Sequence, residues 1–169
     1  MAEPLAHAHT LTARLAYAGD LVIDEVSRVP PSAMRWKPAD DVWSVMEILC
    51  HVAEFVPYWT GQAMQVAQRP GEQWGRTHTD TARIDAVAQA DSRSPDELLD
   101  AIRAAVSRSA AAIHKMTDAE LATEAVSRNS RWGRQPASFI IDHLVIEHLE
   151  KHAGQVRRNR TQFEAADRP

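Results

Sequence analysis

The 169-residue sequence predicts an all-α protein, a four-helix bundle with long crossover connections, built as one domain over residues 1–169. Three observations lead there. Apolar residues recur three and four positions apart, the helical period, and convincing two-residue alternation is absent. Helix-start signals stand ahead of the apolar stripes, at Ser44, Ser94 and Thr117. The connections between stripes are long, as crossovers in a bundle require.

The first predicted helix runs roughly from Leu5 to Val29, with Leu11, Leu15, Ala18, Val22 and Val26 on one face. Pro30-Pro31 ends it, because proline lacks the amide donor and restricts the residue before it. A connector, Ser32 to Val42, carries Trp36 and Pro38. Ser44 and Glu47 then form a capping box, each side chain placed to satisfy an amide at a helix start. Ile48, Val52, Phe55 and Trp59 continue that helix towards about Gln68, and Pro57 within it predicts a kink or a break. Arg69 to Arg93, with Gly71 and Gly75, reads as a surface excursion with at most a short helix near Ala82–Ala90. Ser94, Pro95 and Glu97 open the third helix, whose stripe is Leu98, Ile102, Val106 and Ile113. Thr117 and Glu120 make a second capping box on a short helix, and Asn129 to Gln135 reads as loop. The fourth long helix starts near Pro136 and runs to about Phe163.

Composition narrows the partners. Apolar residues are 44% and charged residues 25%, the balance of a soluble globular protein. The net charge of -4 gives no basic surplus, so no nucleic-acid partner is expected. Arg157, Arg158 and Arg160 sit with Glu150, Glu164 and Asp167 and read as a solvated helix end. No apolar stretch approaches the ~20 residues of a membrane span, and the start, Met-Ala-Glu-Pro-Leu-Ala-His, shows no secretory signal. Cys50 stands alone, which excludes an intrachain disulfide and a cysteine-rich zinc site. A cytoplasmic location is the expectation.

The histidines carry the chemical information. On the fourth helix the stripe Ile141, Leu144, Val145 is continued by His148, His152 and Val156, so two imidazoles occupy core positions. Residues four apart share a helix face, with Cβ atoms about 6 Å apart. Two such rings can reach one cation at about 2 Å. On the second helix His51 lies three residues after Ile48 and four before Phe55, near that stripe too. The residues alone leave two readings open: three nitrogen donors converging on one metal with free positions for water or substrate, or three separate hydrogen-bonded histidines.

The other candidates are weaker. His7 and His9 flank the first helix start, His78 sits in the long excursion, and His114 ends the third helix. His143 lies about 140° around the helix from His148. Glu47 is placed to support His51, although its capping role already explains it. Cys50 points about 100° away from His51 and reads as a small buried hydrophobe. Trp36, Trp43 and Trp59 are expected to pack together at the start of the second helix, and Trp74 and Trp132 to sit in loops at a pocket mouth.

Two stretches, "WSVMEILCHVAEF" (Trp43 to Phe55) and "HLEKHAGQVRRNR" (His148 to Arg160), together resemble the DinB-like superfamily. That grouping holds damage-inducible DinB proteins, bacillithiol S-transferases of the YfiT type and mycothiol-dependent maleylpyruvate isomerases. The resemblance covers nearly the whole chain. It implies a bundle holding a divalent metal, zinc, nickel, iron or manganese, on three histidines, which fall here on His51, His148 and His152. Gln155 matches the glutamine of the family's H-x-G-Q ending, with Ala153 and Gly154 as its small residues.

The activity implied is a metal-dependent S-transfer from a low-molecular-weight thiol of the mycothiol or bacillithiol type to a small electrophile. An alanine- and arginine-rich composition points to mycothiol. Such a protein needs no catalytic cysteine of its own. The alternatives are a hydrolase using the same metal, which calls for a carboxylate base such as Glu47 or Glu147, and a non-enzymatic stress-response bundle that binds metal. A homodimer is the fold-level expectation.

Overall fold

The computed structural model of the protein describes residues 6–77 and 79–167. Four long helices form the bundle: α1 (Ala6–Ser27), α2 (Val45–Gln68), α4 (Pro95–Ile113) and α7 (Glu147–Ala166). Between them lie α3 (Thr81–Ala88), α5 (Asp118–Ala122), two strands, β1 (Glu124–Val126) and β2 (Arg134–Pro136), and the short α6 (Ala137–Phe139). A π-helical segment, Ile140–Ile146, joins α6 to α7. Helix α1 packs on α4 and α7, whereas α2 packs on α4 and on the π segment and α7. Consecutive long helices α1 and α2 therefore occupy opposite corners, and the chain between them crosses the bundle. Leu5 and His78 fall outside the described residues.

The predicted stripes become the core. Leu11, Leu15, Ala18, Val22 and Val26 of α1, Ile48, Val52 and Phe55 of α2, and Leu98, Ile102 and Ile113 of α4 are all buried. At Gly19 a Cβ would stand 3.0 Å from the Val106 methyls, so glycine allows α1 and α4 their close approach. Both capping boxes form as predicted. Ser44 Oγ accepts from the Glu47 amide at 3.2 Å, and Glu47 Oε2 accepts from the Ser44 amide at 2.7 Å. Ser44→Ala removes half of that box at the base of the helix carrying His51. It is expected to cost about 1 kcal/mol, read as a lower urea midpoint at unchanged slope.

Four expectations are corrected. Of the kink or break expected at Pro57, the break is absent, since helix α2 continues through that residue. Residues on both sides of that proline, Phe55, Val56, Trp59 and Thr60, are buried, and their packing offsets the lost amide donor. The predicted Asn129–Gln135 loop holds as far as Gly133, but Arg134 and Gln135 belong to β2 of an antiparallel hairpin, with Ala125 opposite Gln135. Its three-residue strands are too short to show alternation. Trp74 lies in the core at 0% exposure instead of at a pocket mouth. Its indole donates to the Ala125 carbonyl at 2.9 Å, and its backbone bonds Val126 and Arg128. The excursion after α2 is thereby fastened to the hairpin. Finally, Arg157 and Arg160 do not simply face solvent, because both flank the buried Glu25 of α1, with Arg157 at 2.6 Å.

Among the described residues no helix is long and apolar enough to cross a membrane.

Candidate metal centre

Helix α2 delivers His51 and α7 delivers His148 and His152 to one place. Their ring centroids are 5.3 Å (51–148), 5.0 Å (51–152) and 4.7 Å (148–152) apart. One ring nitrogen from each lies within 4.8 Å of the other two. Small ring movements bring such a set onto one ion at the usual 2.0–2.1 Å. The three rings converge, as the first of the two sequence readings requires.

The surroundings suit cation binding. His51 is 3% exposed and His152 7%. Burial, followed by the nearness of His152 and His148, pushes His51 down to about 2. Burial, then His152, pushes His148 down to about 3, and burial, then the charge of Arg83, pushes His152 down to about 4. The imidazoles are therefore neutral at physiological pH and keep free lone pairs. His152 Nδ1 bonds Gln155 Oε1 at 3.1 Å, so the ring nitrogen donates and Nε2 remains the acceptor. That Nε2 and the Nδ1 of His51 are buried without a hydrogen-bond partner among the described residues. Buried polar atoms rarely go unpaired, and a cation held by both removes the deficit. The donor set fits a divalent metal of the zinc or nickel kind, which favours imidazole nitrogen.

Aromatic rings hold the imidazoles in place. Phe55 stacks on His148 with centroids 4.2 Å apart. Trp43 lies parallel to His152 at 6.3 Å and edge-on to His51 at 5.1 Å. The Trp43 carbonyl accepts a 2.7 Å hydrogen bond from the buried Asn159 amide. The three tryptophans expected to cluster are instead dispersed: Trp36 meets Phe163 and Trp59 meets Trp74. Asn159 follows His152 by seven residues, two helical turns, and a polar residue on that stripe was the signal for it.

The other described histidines stand apart. His143 bonds Glu147 at 2.6 Å and touches Trp132. His9 stacks on His114 at 4.5 Å, and His7 is exposed. Glu47 is committed to its cap and to Lys37 at 3.3 Å. Cys50 is buried at 4% exposure, and burial raises its thiol pKa, as a small hydrophobe should behave.

A pocket of about 170 Å³ opens beside His51 and His148. Trp59, Arg76, Arg83 and Trp132 form much of its wall. Trp132 thus lines a pocket as predicted, whereas nothing in the sequence singled out the two arginines.

The fold has solved counterparts. YfiT from Bacillus subtilis, a probable metal-dependent hydrolase with an unusual four-helix bundle topology, superposes with a TM-score of 0.79 at 11% identity, over 93% of this chain and 87% of that one. The mycothiol-dependent maleylpyruvate isomerase superposes with a TM-score of 0.70 at 16% identity, over 88% of this chain. The chain spans 60% of that enzyme's length. At these identities the likeness is one of fold. No curated protein sequence matches the chain. The family model of the DinB superfamily matches residues 14–156, most of the chain, which therefore belongs to the DinB superfamily.

Proposed function

We propose that the protein is a metal-dependent S-transferase that joins a low-molecular-weight thiol, of the mycothiol or bacillithiol type, to a small electrophile. The observation that carries this reading is a three-imidazole cluster opening onto a pocket with, among the described residues, no carboxylate in its wall. His51, His148 and His152 would hold a divalent ion, and because neutral imidazoles leave its charge undiminished it would favour the thiolate form of a bound thiol. The chain's own residues do the rest. Burial keeps the three rings unprotonated, Gln155 fixes the His152 tautomer, and Trp43 and Phe55 restrain the rings. In the transfer the sulfur forms its bond to the electrophilic carbon, the leaving group departs with its electron pair, and the thiol proton passes to solvent.

The hydrolase alternative calls for a carboxylate base near the cluster. Glu47 caps α2, and Glu147 bonds His143. Neither lines the pocket, which favours transfer over hydrolysis. The mycothiol dependence of the maleylpyruvate isomerase, which shares this fold, also supports a thiol co-substrate.

The test is metal-dependent loss of mycothiol or bacillithiol in the presence of monochlorobimane. Metal-loaded wild type and Cys50→Ala are expected to consume thiol at matching rates well above the blank, and His148→Ala is not. Thiol loss no faster than the blank overturns the transferase and leaves the hydrolase and the non-enzymatic bundle.

A further inference from the structure

Two arginines line the pocket, and they are not equivalent. Arg76 is neutralised. Its guanidinium forms a two-pronged pair with Glu54 at 2.6 and 2.7 Å, meets Asp80 at 3.3 Å, and lies 3.8 Å over the Tyr58 ring. Arg83 is different. Among the described residues no carboxylate lies within ion-pair distance of its guanidinium, and no side-chain or carbonyl acceptor bonds it. The nearby Asp80 carboxylate is held by Arg76 and by the Arg83 backbone amide. What Arg83 does contact is the Trp43 ring, 5.4 Å from its guanidinium carbon, the same ring that packs on His51 and His152.

Arg83 is carried by α3, none of whose residues is buried, so packing of the core does not explain an arginine there. The helix is nonetheless placed, through the buried Trp74 and the Arg76–Glu54 pair just before it. The pocket thus has an unpaired guanidinium in its wall, a neutral donor cluster at its base, and indole surface from Trp59 and Trp132. A guanidinium fork matches a carboxylate in two parallel hydrogen bonds. The cavity is below the ~300–1,000 Å³ typical of drug-sized ligands, so it suits a small molecule and not a whole sugar-bearing thiol.

We propose that Arg83 is the anchor for a carboxylate on the electrophile, so that the pocket selects small anionic, apolar-bodied acceptors over neutral ones. Assigning the anion to the electrophile rests on the thiol-transfer reading; the anion site itself does not.

Two measurements test it. In the first, benzoate and its neutral counterpart benzamide are titrated calorimetrically into full-length protein, metal-free and zinc-loaded. Wild type is expected to bind benzoate in both states and more tightly than benzamide. Arg83→Gln is expected to weaken benzoate on the order of ten- to a hundredfold, with Arg83→Lys between, while metal content and melting temperature stay at wild-type values. Benzoate binding that ignores Arg83→Gln, that needs metal, or that is absent from wild type overturns the anion site. In the second, iodoacetate and iodoacetamide compete as alkyl acceptors for the thiol, iodide leaving in both. Arg83→Gln is expected to lower kcat/KM for iodoacetate alone. An equal fall for both acceptors overturns the assignment to the electrophile. Absence of transfer with either acceptor, with benzoate binding intact, overturns the transfer reading and leaves the anion site standing.

Discussion

His152→Ala is expected to leave the protein essentially without metal. Wild type purified without a polyhistidine tag should carry about one divalent ion per chain by elemental analysis. The argument is local. The His152 Nε2 is buried and unpartnered, with its ring held by Gln155 through the other nitrogen. Alanine removes one of three donors outright, whereas Gln155→Ala leaves the donor and loosens only its orientation. An outer partner of that kind is commonly worth about 10–100-fold in affinity, so the ligand itself must be worth more. The expected order of zinc affinity is therefore wild type, then Gln155→Ala, then His152→Ala, His148→Ala and His51→Ala together at the bottom. His143→Ala is the control, since its ring is paired with Glu147. Equal metal in His152→Ala and wild type would falsify the shared centre and leave three packed imidazoles.

The meeting of the three rings was only partly legible in the sequence. His148 and His152 stand where a 3.6-residue period calls for apolar side chains and His51 lies near the stripe of α2, and helices that bury a stripe bring its polar members together. The residues alone left separate hydrogen-bonded rings equally open, and it was the family resemblance that joined them on one metal. Capping boxes are local, so Ser44–Glu47 and Thr117–Glu120 could be read without knowing the fold. What escaped depended on contacts between distant segments. Trp74 is buried because a hairpin fifty residues later supplies the Ala125 carbonyl for its indole. Trp43 meets the imidazoles because Asn159 holds its carbonyl from the far end of α7. The π segment escaped for another reason. Ile140, Ile141, Leu144, Val145 and Ile146 are all buried, and a run so apolar does not reveal a widened turn. Such turns are frequent at functional sites, and this one ends two residues before His148. Arg83 left no trace at all, since an arginine on a short exposed helix looks the same whether or not it faces a pocket.

The cluster also makes the metal-free protein acid-sensitive well above the carboxylate range. In the folded chain burial holds His51, His148 and His152 at about 2, 3 and 4, whereas an unfolded imidazole titrates near 6.5. Between those values the unfolded chain binds protons that the native chain refuses, so unfolding takes protons up and stability rises with pH. The contribution is fully present above about 6.5 and is lost as pH falls below it. Each imidazole contributes a slope of up to about 1.4 kcal/mol per pH unit, so three give roughly 4 kcal/mol per unit once the unfolded chain is fully protonated. Against a typical total of about 5–15 kcal/mol, that slope exhausts the fold within a few pH units. Urea unfolding of chelator-treated protein between pH 7.5 and 4.5 is expected to show the midpoint collapsing across this window, above the range where carboxylates titrate. His51→Leu keeps an apolar side chain at the most depressed position and removes one titrating ring, so the slope should fall by about a third. A midpoint that stays level from pH 6.5 to 4.5 would show that the rings are protonated as freely in the native chain as in the unfolded one, and neutral donors for a metal would then be lacking.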